Sequence, residues 1–127
     1  MKPLNTINFP LVSSFVDDHY VGRYVLVRTY ASGVHFGKLK IYNPDNSHCI
    51  LEDARRLYSW VDRLTLTEVS ENGVTEKALM SIFAPHIMIG DVIEILLVSE
   101  KAEATLSAIS SFAGRSGLQK PVGFPCE

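Results

Sequence analysis

The order of local signals is what most limits how this chain can fold. Between Tyr20 and Val98, short runs rich in β-branched and aromatic residues alternate with turn signals, and the one clear helix start comes only afterwards, at Ser99. Strands first and one helix last reads as an α+β fold: an antiparallel meander or small barrel-like sheet, followed by a C-terminal helix and tail. The runs are Tyr20 to Tyr30, Val34 to Tyr42, His48 to about Asp53, Arg63 to Val69, Val74 to Phe83 and Val92 to Val98. Ser32-Gly33, Asn43-Pro44-Asp45-Asn46-Ser47 and Glu71-Asn72-Gly73 turn the chain between them, and Pro85 and Gly90-Asp91 punctuate the gap before the last. Ala54 to Trp60 has no clean period. In the first strand a period of two puts Tyr24, Leu26, Arg28 and Tyr30 on one face. It puts Val25, Val27 and Thr29 on the other, the plainer core face.

Ser99 is a good N-cap, and Glu100 and Glu103 follow it near the positive end of the helix dipole. Ala102, Leu106 and Ile109 give the helix one apolar face, and Gly114 is the expected stop. A chain of 127 residues fits one domain. The expected organisation is an N-terminal arm over 1–18, punctuated by Pro3 and Pro10, a single ligand-binding domain over 19–113, and a tail over 114–127.

Composition narrows the function. A net charge of -2 argues against generic DNA or RNA binding but leaves room for a small anion held by a few arginines. Cys49 and Cys126 lie far apart without metal-type spacing, so they read as free thiols in a reducing compartment. The first residues are too polar for a signal peptide, and no apolar run approaches the roughly 20 residues of a membrane span. A cytoplasmic protein is the expectation.

Catalytic motifs are missing from the sequence. It carries no Gly-rich phosphate loop, HExxH, GxSxG or Cys-x-x-Cys, and His19, His35, His48 and His86 are scattered. No catalytic set, metal site or cofactor is therefore expected, and binding without transformation is the better reading. Arginines and aromatics carry what signal remains. Arg28, in mid-strand beside Leu26 and Tyr30, needs a carboxylate, a phosphate or an aromatic face, a cross-strand ion pair being the plain alternative. Asp53 is expected to pair with Arg55 or Arg56. These two arginines are adjacent, so in a strand they point to opposite faces. One can serve the structure while the other is free for an anion. Arg115, between Gly114 and Ser116-Gly117, suits closure over phosphates. Trp60, Tyr58, Phe36 and Phe83 are candidate stacking surfaces for a base, although aromatics in strands more often belong to a core.

Two blocks carry a family resemblance. Val27-Arg28-Thr29-Tyr30-Ala31-Ser32-Gly33-Val34-His35-Phe36-Gly37 is the first, and Leu51-Glu52-Asp53-Ala54-Arg55-Arg56-Leu57-Tyr58-Ser59-Trp60, continued by Leu64-Thr65-Leu66-Thr67-Glu68, is the second. Both resemble the phage and prophage anti-Thoeris sponge family of the first type. The resemblance implies a phage anti-defence protein acting in the cytoplasm of the infected bacterium. Such a protein sequesters, without degrading it, the cyclic ADP-ribose isomer (glyco-cyclic ADP-ribose) made by Thoeris TIR enzymes. It implies a homo-oligomer, dimer or hexamer, with the ligand between protomers, and a separate site for cyclic oligonucleotides. Carried onto this chain, the ligand residues are Arg28, Phe83 and Arg115, and the second site is Arg55 and Arg56. A Trp-x-Gly pattern of that family is replaced here by Trp60-Val61-Asp62. The rival expectations are a phage protein that blocks a host protein by direct contact, and a phosphodiesterase that destroys the signal.

Overall fold

The computed structural model describes residues 4–111. Helix α1 (Leu4–His19) leads into β1 (Tyr24–Thr29), β2 (Val34–Asn43) and β3 (His48–Ser59). Then come α2 (Leu66–Asn72), β4 (Leu79–Met80), β5 (Ala84–Ile89), β6 (Val92–Leu97) and α3 (Glu100–Ala108). The strands form one antiparallel sheet in the order β4-β3-β2-β1-β6, with β5 also paired to β3. The α+β class is the one expected.

Each face of the sheet carries its own core. Leu26, Val34, Phe36, Leu57 and Met80 pack against Val69 of α2 and against Ala102 and Leu106 of α3. Val25, Val27, Leu39, Cys49, Leu51 and Ala54 form the other cluster, with Val16 of α1. β1 is therefore buried on both sides: Val25, Leu26 and Val27 are all fully buried, so its two faces do not divide into core and solvent. Phe36 belongs to the first core, its ring stacked on Tyr24 at 5.3 Å, and is not a surface for a base.

β3 is longer than the expected His48 to Asp53 because a bulge hides its period. Asp53 adopts φ 50°, and the register against β2 slips between the pairs Phe36–Arg55 and Lys38–Glu52. Side chains after the bulge fall on the opposite parity, so Ala54 to Ser59 does not read as a continuation. Gly37 crosses β3 at this bulge, where a Cβ would stand 3.0 Å from Glu52 O and 3.1 Å from Ala54 Cα. Asp53 itself makes no ion pair with Arg55 or Arg56.

Five further expectations are corrected. The leading segment, expected as an arm over 1–18, is helical from Leu4 to His19, and its last turn docks through Val16. Arg63 to Val69 is not a strand. Thr65 caps α2, its side chain accepting from Glu68 N–H at 3.1 Å, while Glu68 Oε1 accepts from Leu64 N–H at 2.9 Å. Glu71-Asn72-Gly73 accordingly ends a helix instead of turning a hairpin: Gly73, at φ 83°, returns its N–H to Val69 O. Val74 to Phe83 narrows to the two residues of β4, and Ala84 to Ile89 forms β5 despite Pro85. α3 stops at Ala108, well before Gly114, with Ile109 as its C-cap.

One connection shapes the whole sheet. β5 lies beyond β3 and β6 lies beyond β1, yet only Gly90 and Asp91 separate them. The sheet is curled enough for its two edges to meet at this corner. Val92 N–H reaches Ser47 O at 3.1 Å there, and Tyr30 N–H reaches Asp91 O at 3.0 Å.

Candidate functional site

The candidate residues divide by what already occupies them. Arg28 faces outward from β1 opposite Glu94 of β6, its Nε donating to Glu94 Oε1 at 3.0 Å. Both side chains are about half exposed, so this is the plain cross-strand ion pair, worth at most about 1 kcal/mol. Through Val34, Arg28 aligns with Leu57 on β3. Phe83 leads into β5 on the far side of β3. Within one chain some three strand spacings, roughly 14 Å, lie between Arg28 and Phe83. The structure does not bring these two together, and Arg115 lies outside the described residues.

Arg55 is buried, 3% exposed, without a carboxylate partner among the described residues. Carbonyls hold it instead. Nε donates to Ser81 O at 2.9 Å, and Nη1 donates to Leu106 O at 3.1 Å and Ser107 O at 3.5 Å. Those last two carbonyls close α3, so the guanidinium caps the negative end of that helix. Phe83 covers it, the guanidinium carbon 4.4 Å from the ring centroid. Burial pulls the Arg55 pKa down from its ordinary value. Arg63 does the same service for α2, donating from Nε to Gly73 O at 2.7 Å. Arg55 and Arg63 are thus both helix caps.

Arg56 is different. It is half-buried on the opposite parity, paired in register with His35 of β2, and makes no ion pair with any described carboxylate. Its backbone is fixed by two bonds to Ser81: Arg56 N–H donates to Ser81 Oγ at 2.8 Å, and Ser81 N–H donates to Arg56 O at 2.9 Å. Its guanidinium stands 6.0 Å from the Tyr58 ring centroid. A cavity of about 320 Å³ opens here, lined by His35, Arg56, Tyr58, Ser81 and Ile82 among others. Tyr58 and Ile82, on its wall, are exposed. A cation with no counterion among the described residues, beside an aromatic wall in a concave site, is chemically an anion receptor.

His35 is a residue that sequence reading passed over. It is 2% exposed and its Nδ1 has no hydrogen-bond partner. Nε2 lies 3.1 Å from Ser32 O, which fixes the proton on Nε2 and leaves Nδ1 a bare acceptor. Burial, and then the Arg56 charge, hold the imidazole below its ordinary pKa, so it is neutral. Ser32 and Asp91 lie close by. Ser32 Oγ is 3.4 Å from His35 Nε2 and donates to Asp91 Oδ1 at 3.3 Å, while Ala31 N–H donates to Asp91 Oδ2 at 2.7 Å. This trio does not have the connectivity of a nucleophile relay. There the acid orients the histidine through the nitrogen remote from the serine, whereas here Asp91 bonds the serine and that nitrogen is unpartnered. The network ties the β1–β2 turn to the β5–β6 corner. The Ala31 bond, foremost, holds the Asp91 carboxyl below the usual carboxylate range.

Among the described residues no three His, Cys, Asp or Glu side chains gather as a metal site requires, and no helix is long and apolar enough to cross a membrane. No curated protein matches the chain. Residues 22–106, from the approach to β1 through most of α3, match one domain family, and that span includes Arg56, His35 and the cavity between them. On that match the chain belongs to the family described as a domain of unknown function, DUF6948.

Proposed function

We propose that this protein binds a phosphorylated nucleotide signal, a cyclic ADP-ribose isomer made by bacterial Thoeris TIR enzymes, and holds it intact. It would act as a phage anti-defence sponge in the cytoplasm of the infected host. The observation that carries the reading is Arg56: a half-buried guanidinium with no carboxylate partner among the described residues, facing a cavity of about 320 Å³ walled by Tyr58. The ligand's identity rests on the resemblance of residues 27–37 and 51–60 to the anti-Thoeris sponges. Arg56 grips the diphosphate and Tyr58 stacks on adenine, the Phe83 ring being taken by Arg55. This moves the anion grip from Arg28, which Glu94 occupies, to one of the arginines first assigned to a second, cyclic-oligonucleotide site. Arg55 stays with α3. A homo-oligomer, dimer or hexamer, belongs to the same proposal. A sponge that outcompetes an effector needs nanomolar affinity, about -12 kcal/mol.

Calorimetry of the full chain with cyclic ADP-ribose isomers tests this, followed by heat release and mass analysis of the ligand. Tight binding with intact ligand recovered is expected. Arg56→Ala should weaken it about 10- to 100-fold, the loss of one or two charge-assisted hydrogen bonds, while Arg28→Ala leaves it unchanged. Recovery of a cleaved product would replace the sponge by a phosphodiesterase, and unchanged affinity in a folded Arg56→Ala protein would remove the site. Cyclic oligonucleotides belong in the same titration, and light scattering reads the oligomer.

One observation favours a second reading. Ile82 is 65% exposed and Tyr58 53%, both lining the cavity beside Arg56, and that composition suits the centre of a protein interface. Direct blockade of a host protein would appear as capture of that protein with no small-molecule binding.

A further inference from the structure

His35 and Arg56 are directly opposed partners in the β2–β3 register. Their side chains therefore leave the sheet on the same face, roughly 5 Å apart at Cβ. Both line the cavity of about 320 Å³. The two ring nitrogens of His35 are unequal. Nε2 is committed to Ser32 O at 3.1 Å, while Nδ1 is buried with no hydrogen-bond partner among the described residues. A buried polar atom left unserved is uncommon in a native structure and calls for a partner. The surrounding groups do not provide one. Val27, opposite His35 on β1, is apolar. Asp91, at the β5–β6 corner, is bonded to Ala31 N–H and Ser32 Oγ, and it meets the ring through Ser32, on the Nε2 side. From β3, Arg56 presents a cation, Arg55 is turned to the Ser81 and Leu106 carbonyls, and Tyr58 walls the cavity. The cavity is the open space that His35 borders, so a partner for Nδ1 enters by that route.

We propose that His35 is a second, proton-dependent hold on the anion that Arg56 receives: a doubly charged phosphate group in the cavity is met by the Arg56 guanidinium and by an Nδ1–H that His35 gains from solvent. Given Arg56 as an anion receptor, the reading on which this rests, His35 adds the charge class of the ligand: a diphosphate or phosphomonoester rather than a single phosphodiester. With protein groups alone the arrangement opposes that proton, because burial and the Arg56 charge hold the imidazole neutral. An anion offsets both, neutralising Arg56 and giving Nδ1–H an acceptor. The ring need not turn, since Nε2–H already has Ser32 O. Binding then takes up one proton. Affinity rises as pH falls through the His35 pKa of the bound state and levels off below that of the free protein, tenfold for each unit between the two.

Sulfate is the probe, because it stays doubly charged across this pH range and carries no nucleoside. Nitrogen NMR of ring-labelled histidines in the full chain follows His35 from pH 5 to pH 8, with His35→Gln identifying its signals. Saturating sulfate should raise the His35 pKa by at least about one unit over chloride of equal ionic strength, with the new proton on Nδ1. Arg56→Ala should abolish the rise. An unmoved pKa while sulfate still binds through Arg56 would overturn the proposal and leave the anion site standing. Absence of any Arg56-dependent sulfate binding would overturn both. A sulfate-induced rise together with no binding of glyco-cyclic ADP-ribose would support the role of His35 and remove only the nucleotide reading. Where that nucleotide binds, calorimetry should show it tightening about three- to tenfold from pH 8 to pH 6. The same tightening in a His35→Gln protein with the parent's urea midpoint would overturn the proposal independently.

Discussion

Replacing Arg55 by methionine keeps the unbranched stem of the side chain and removes the guanidinium. The wild-type group is 3% exposed and bonds Ser81 O at 2.9 Å and Leu106 O at 3.1 Å, with a longer contact to Ser107 O. Removing it strands two good acceptors, one of them fully buried, at about 1–3 kcal/mol each. It also removes a cation from the negative end of α3, about 0.3–1 kcal/mol. Against this, a desolvated charge no longer has to be buried, which returns part of the sum. The net expectation is a loss of about 2–3 kcal/mol, or a Tm lower by roughly 8–12 °C for a domain of this size. Urea unfolding followed by circular dichroism measures it, with the m-value unchanged. Arg55→Lys should lose about half as much, since an ammonium reaches one carbonyl but not both. If Arg55→Met is within about 0.5 kcal/mol of wild type, or more stable, the helix-capping account is wrong and the residue's burial must answer to a ligand.

Gly73→Ala should be the more damaging change: Gly73 holds φ 83°, and a methyl there would overlap Thr105 Oγ1, which is fixed by bonds from Val74 N–H and to Ala102 O. The expected cost exceeds about 3 kcal/mol by the same urea assay. His35 sets a pH dependence. Its folded pKa lies below the ordinary 6.5, chiefly through burial, so the unfolded chain takes up the proton first as pH falls. Stability should be complete above about pH 6.5 and decline below it by up to about 1.4 kcal/mol per unit, and His35→Gln should flatten that slope. The Cys49 thiol, pushed up to about 11 by burial, should react with a thiol reagent at pH 8 only as fast as the protein unfolds, as peptide mapping can follow.

What could be read from the sequence was local and strongly patterned. β1, β2 and β6 stood out because each is a β-branched or aromatic run bounded by a turn, and α3 because Ser99 and its first-turn acids announce it. The segments that escaped did so for physical reasons. The bulge at Asp53 reverses side-chain parity, and no periodicity test follows a strand through such a reversal. β5 carries Pro85, which only an edge strand tolerates, and edge position is a tertiary fact. α2 could have been found: Thr65-Leu66-Thr67-Glu68 is a capping-box pattern, but Leu64 and Leu66 also alternate, and the strand reading took precedence. For the site, the sequence offered arginines and aromatics but not their occupancy. That Glu94 takes Arg28 and that α3 takes Arg55 depend on partners 66 and 51 residues away. Strand alternation alone puts the adjacent pair on opposite faces, and the structure shows one of them, Arg55, held by backbone carbonyls.

The two-residue passage at Gly90 and Asp91 changes how this sheet can come apart. An open sheet frays from its edge strands, each peeling off without regard to the other. Here the strands at the two edges share a tether too short to give slack, and Asp91 is bonded to Ala31 and Ser32 across 60 and 59 residues of sequence. At this corner β5 and β6 must therefore loosen together, and with them the β1–β2 turn. Early opening is left to the opposite end, around the two-residue β4. Hydrogen exchange should divide accordingly: one concerted unit around the corner, and faster, independent exchange at Leu79 and Met80.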